Sequence, residues 1–154
     1  MELLLYMHDE KSYSELIEKG ISLLNDNNRL AALSCFEKAY SMGKPPKLLS
    51  YYSYCIATER GQVTEALKLC NDALSQEPDH PAHYLNLGRI YLFAGRKEEA
   101  LSTLRKGLSY GENPAIKSLL EKFGTRNKPV FSFLPRNHFL NKYAGLLLHR
   151  LKLR

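Results

Sequence analysis

The stretch PAHYLNLGRIYLFAGRKEEALSTLRKGLSYGENP, residues 81–114, decides the fold. Tyr84, Leu87, Gly88 and Tyr91 fall at i, i+3, i+4 and i+7, a single stripe along one helix face. Gly88 stands where a facing helix must come close, and a side chain there would hold it off. Gly95 breaks this helix, and Arg96-Lys97-Glu98-Glu99 opens a second. The inner face of that second helix is Ala100, Leu101, Leu104 and Leu108, with Gly107 as another small contact.

Moved back by 34 residues, the same pattern returns twice. Residues 47–80 carry Ala57, Gly61, Ala66, Cys70, Ala73 and Pro78 in phase, and residues 13–46 carry Leu16, Gly20, Leu23, Ala32, Phe36 and Ala39. Self-similarity at a fixed period marks a stacked solenoid, and three units is about the minimum for a stable array. Asn27 replaces the turn glycine of the first unit, a position asparagine can fill because it tolerates left-handed backbone angles. Lys44-Pro45-Pro46 closes the first unit, and Pro78 ends the second because it lacks an amide hydrogen. The second unit departs from the pattern at Ser53 and Tyr54, which stand in place of Leu and Gly. Tyr54 then needs a small residue opposite, or the helix pair must spread.

The pattern Tyr84-x2-Leu87-Gly88-x2-Tyr91 followed by Ala100-x3-Leu104 closely resembles the tetratricopeptide repeat consensus. The resemblance covers residues 13–114, two thirds of the chain. It implies an all-α fold: a right-handed superhelical solenoid of antiparallel helix pairs, with a capping helix and an extra C-terminal helix. In this family the first helix of each repeat lines a concave groove through its second, fifth, ninth, twelfth and thirteenth positions. By register these are Ser14, Ile17, Ile21, Leu24 and Asn25, then Leu48, Tyr51, Cys55, Thr58 and Glu59, then Ala82, Leu85, Arg89, Leu92 and Phe93. The implied groove is apolar and aromatic. Relatives that grip the free carboxylate of a chaperone tail use Lys and Asn at the fifth, sixth and ninth positions, where the first repeat here has Ile17 and Ile21 at the fifth and ninth. An amphipathic helix or an extended aromatic segment suits such a groove better.

A solenoid's last repeat exposes a face that needs covering. Ile116, Leu119, Leu120 and Phe123 form a helical stripe within residues 115–124, and Gly124 suits a C-terminal cap. At the other end, residues 1–12 are an N-terminal segment that can extend the first helix. The opening MELLLYM has no basic n-region and is too short for a signal or a span, so the expected location is cytoplasmic, with peripheral membrane attachment as the alternative.

Charge is unevenly placed. Residues 1–114 hold 13 Lys and Arg against 15 Asp and Glu, whereas residues 115–154 hold nine against one. Within the basic extension, residues 125–154, Lys128 to Pro135 is bracketed by prolines and reads as extended, with Phe131 and Phe133 on one side. Asn137 can then cap an amphipathic helix over residues 137–153, with Leu140, Tyr143, Leu147 and Leu151 on its apolar face. This tail has three candidate uses: occupying the chain's own groove, docking on another chain or a second copy, and lying on an anionic membrane surface. Nucleic acid ranks last, because the basic residues are not interleaved with stacking aromatics.

No motif for catalysis or nucleotide binding occurs, and no cofactor is expected. His8, His80, His83, His138 and His149 are scattered, with no cysteine near them in sequence to complete a zinc site; His80 and His83 are too close to share a helix face. Cys35, Cys55 and Cys70 lack CxxC spacing and read as reduced, packed thiols. The reading is a non-catalytic protein–protein interaction adaptor that binds a peptide or amphipathic helix in its groove; a membrane-surface adaptor tethered by its C-terminal helix is the alternative.

Overall fold

The computed structural model describes residues 2–124, 131 and 138–150, with side chains from Tyr13 onward in the first stretch. Among these residues there are eight helices and no strand. They are α1 (Glu2–Asn25), α2 (Arg29–Met42), α3 (Pro46–Arg60), α4 (Val63–Gln76), α5 (Pro81–Phe93), α6 (Lys97–Tyr110), α7 (Pro114–Gly124) and α8 (Phe139–Arg150). The first seven belong to one compact unit that ends at Gly124, and α8 belongs to a second, Thr125–Arg154.

The turn between the helices of each pair is set by one left-handed residue. Asn27, Gly61 and Gly95 have φ of 60°, 68° and 74°, and they stand 34 residues apart. Glycine meets this geometry without steric cost, and asparagine is among the few other residues that tolerate it. The next residue, Asn28, caps α2 by accepting from the Ala31 amide at 3.3 Å. Prolines open α3, α5 and α7 at Pro46, Pro81 and Pro114. A proline suits the first helical turn, where its missing N–H would have had no partner. It is this preference that starts α3 and α7 one residue ahead of the register positions Lys47 and Ala115.

Helices pair as α1–α2, α3–α4 and α5–α6, and neighbouring pairs meet through α2–α3, α3–α5 and α4–α5. This is an all-α solenoid. Ala32, Ala66 and Ala100, one period apart, are fully buried. Gly20 meets Phe36 and Gly88 meets Leu104 at distances that leave no room for a β-carbon. In the middle unit, Tyr54 takes the glycine's place and Cys70 stands where the other units have Phe36 and Leu104. Cys70 is fully buried. The Tyr54 ring lines a cleft, where the Arg89 guanidinium lies 5.2 Å from its centroid.

The α3–α5 contact also buries polar groups. Asn86 on α5 donates from Nδ2 to the Ser50 hydroxyl on α3 at 3.0 Å, and both side chains are fully enclosed. At the end of the array, α7 inserts Ile116 beside Leu85 and Leu104, with Leu108, Leu119 and Leu120 packed around them. It therefore covers the exposed face of the last repeat. Among the described residues, no helix is long and apolar enough to cross a membrane.

Candidate functional site

A cleft of about 320 Å³ opens on the side of the solenoid formed by the first helices of the repeats. Tyr54 and Thr58 of α3 form one wall, and Arg89, Leu92 and Phe93 of α5 form its centre. Leu119, Lys122 and Phe123 of α7 close the far side, with Arg29 at the start of α2 on the rim. The geometry follows from the repeat: the C-terminal halves of α3 and α5 present the same positions of successive units, and α7 continues the row.

The rim is cationic. Arg29 Nε donates to Glu59 Oε1 at 2.7 Å, and this bond raises the Arg29 pKa further. The Arg89 guanidinium lies 5.2 Å from the Tyr54 ring centroid, and Lys122 Nζ lies 5.4 Å from that of Phe123. Such contacts contribute about 0.5–1 kcal/mol each where exposed. Phe93 is 50% exposed, an apolar ring facing water inside a depression.

The family positions expected to line the groove divide in two. Ile17, Leu48, Cys55 and Leu85 are buried and belong to the core, as does Ala82. Their side chains pack between helices and offer no surface to a partner. Ile21, Leu24, Tyr51 and Thr58 are half-buried, as are Arg89 and Leu92, while Ser14, Asn25, Glu59 and Phe93 are exposed. Of the named residues, the structure brings Thr58, Arg89, Leu92 and Phe93 together in the cleft. Reading by three repeats missed Arg29, Tyr54, Leu119, Lys122 and Phe123. Leu119 and Phe123 were within reach, because they occupy the fifth and ninth positions of the register carried one unit further, onto α7.

The three cysteines are free thiols. Burial pushes the Cys55 thiol up to about 12 and the Cys70 thiol up to about 11, which keeps both protonated and suits packing rather than nucleophilic chemistry. His80 and His83 do meet: their rings stack 4.8 Å apart, because His80 precedes α5 as its N-cap and accepts from the Ala82 amide through Nδ1. His83 is buried, its Nε2 is 2.9 Å from Glu77 Oε2, and its Nδ1 has no partner among the described residues. Burial lowers its pKa, with Glu77 opposing. No group of His, Cys, Asp and Glu suited to a metal occurs among the described residues.

In the second unit, α8 carries Leu140, Tyr143 and Leu147 exposed, together with Phe139 and Leu146. Phe131 is half-buried. Phe133, Leu151 and the expected cap Asn137 lie outside the described residues.

A family model for the tetratricopeptide repeat matches residues 57–123. The TPR repeat-containing protein YpiA of Bacillus subtilis (strain 168) is 31% identical over 81 residues, which are 53% of this chain and 19% of that protein. The chain thus spans about a fifth of the length of that curated relative. Among solved structures, the Sgt2 TPR domain from Aspergillus fumigatus superposes with a TM-score of 0.58 at 20% identity, covering 73% of this chain and 76% of that one. The second TPR domain of human RPAP3, in complex with the HSP70 peptide SGPTIEEVD, gives a TM-score of 0.57 at 15% identity over 77% of this chain and 99% of that one. The matched family model, the 34-residue register and the solenoid architecture agree: residues 57–123 match tetratricopeptide repeats, and the chain is similar in fold to solved domains of that kind.

Proposed function

We propose that this chain is a non-catalytic protein–protein interaction adaptor, which holds a short peptide or one face of an amphipathic helix in the cleft between α3, α5 and α7. One observation carries the reading: Leu92, Phe93, Leu119 and Phe123 gather in a single depression rather than being scattered over the surface. A concave apolar site with a few polar groups at its edge is the usual form of a binding pocket. The related RPAP3 domain is bound to a peptide, so the fold is suited to such a ligand. Ile17 and Ile21, at positions where carboxylate-gripping relatives have Lys and Asn, favour a different recognition chemistry here.

Selection of peptides from a random phage-displayed library against the full chain tests this. The selected peptides are expected to lose about tenfold or more in affinity when Phe93→Asp is introduced, the loss typical of removing a central anchor. Undiminished binding to the folded variant overturns the reading.

A second reading rests on α8. Phe139, Tyr143 and Leu147 are each at least 60% exposed, in an extension with seven Lys and Arg and no Asp or Glu. An apolar face in a basic segment favours attachment to an anionic membrane surface. The full chain is then expected to float with phosphatidylserine vesicles at low salt and to release at high salt; failure to float removes this reading.

A further inference from the structure

The cleft has a sign of charge as well as an apolar floor. Arg29, Arg89 and Lys122 line it, and no carboxylate does. Arg29 is matched by Glu59 at 2.7 Å. Arg89 lies instead over the Tyr54 ring and Lys122 over the Phe123 ring, and among the described residues neither has a carboxylate partner. Two cations therefore stand unneutralised beside exposed aromatic surface.

That charge bears on which occupant fits. Residues 125–154 hold seven Lys and Arg and no Asp or Glu, so placing this segment in the cleft would set like charges against Arg89 and Lys122. Like-charge contact in a partly desolvated site is unfavourable, and it is the usual device by which a surface rejects a wrong partner. The volume of about 320 Å³ lies near the lower end of ligand pockets, about 300–1,000 Å³, which leaves room for one or two large side chains.

We propose that the cleft seats an acidic amphipathic segment of another protein. An aromatic or long aliphatic side chain packs against Phe93, Leu119 and Phe123, and Asp or Glu beside it face Arg89 and Lys122. Like charge disfavours a segment as basic as residues 125–154 there. The inference rests on the adaptor reading and adds the chemistry of the partner. Side-chain carboxylates supply the charge, so an internal segment serves as well as a chain end.

Two short fluorescein-labelled peptides with amidated C-termini test this on the full chain. They share the same Phe and Leu positions and differ only in flanking residues, Glu in one and Lys in the other. By fluorescence anisotropy at low salt, the Glu peptide is expected to bind roughly tenfold tighter, a difference that two or three exposed charge pairs can supply. The preference should shrink several-fold at about 0.5 M salt. Arg89→Glu with Lys122→Glu is expected to reverse it. The milder pair, Arg89→Gln with Lys122→Gln, guards against a folding defect and should erase the preference without reversing it. Equal binding of the two peptides overturns the acidic assignment and leaves the adaptor reading in place. Tighter binding of the Lys peptide overturns it and readmits the basic extension as occupant. Binding of neither also overturns the assignment, and the adaptor reading is then decided by the library selection.

Discussion

A β-carbon built on Gly88 would lie 2.6 Å from Cδ2 of Leu104, closer than carbon atoms approach without displacement. This contact sets the spacing between α5 and α6, and it recurs two repeats earlier in the first pair, where a β-carbon on Gly20 would lie 2.4 Å from Cε1 of Phe36. Gly88→Ala gains up to about 1 kcal/mol of helix propensity but must force Leu104 out of its place. The overpacking outweighs the gain, and a net loss of about 1–2 kcal/mol is expected by urea denaturation. Adding Leu104→Ala should give less than the sum of the two single losses, since the small residue removes the clash.

Ser50 accepts the hydrogen bond that Asn86 Nδ2 donates, and Asn86 Oδ1 has no partner among the described residues. Ser50→Ala therefore leaves a fully buried amide without its acceptor, at a cost of about 1–3 kcal/mol. Replacing both residues by apolar ones, Ser50→Ala with Asn86→Leu, is expected to recover much of the loss. Equal losses for the single and double variants would show that the pair does not act as a unit.

His83 makes stability depend on pH. Burial holds its folded pKa below the ordinary 6.5, so the unfolded chain binds the proton more readily. Its contribution is fully present above about pH 6.5 and is lost as pH falls from there through the depressed folded value. Denaturation midpoints are expected to fall between pH 7 and pH 5, and His83→Gln should flatten that slope. A midpoint that rises as pH falls over this window contradicts the sign.

Thiol chemistry reports the packing of the middle repeat. Cys55 and Cys70 are fully buried with raised pKa values, whereas Cys35 is half-buried. Iodoacetamide at pH 8 is expected to modify Cys35 in the native chain and the other two only after unfolding, as read by peptide mass spectrometry.

The scaffold was legible because each repeat writes its own constraints. Asn27, Gly61 and Gly95 mark the turns, while Ala32, Ala66 and Ala100 mark fully buried positions. The site was legible only in part. A register gives the angular position of a residue on its helix, and Leu48 and Arg89 both occupy groove positions, yet one is fully buried and the other half-exposed. What decides between them is how closely the neighbouring helices approach at that height, which no period records. Leu119 and Phe123 read from the sequence as part of a capping stripe and not as cleft residues, because α7 keeps the spacing of a repeat but lacks its Leu-Gly and Tyr signature.

Amide chemical-shift mapping of the full chain with a library-selected peptide shows whether a partner binds in the cleft between α3, α5 and α7. The largest shifts are expected on Thr58, Arg89, Leu92, Phe93, Leu119 and Phe123. Largest shifts instead in a second depression, lined by Asn71, Ser102 and Lys106, or on α8 would overturn the cleft as the binding site.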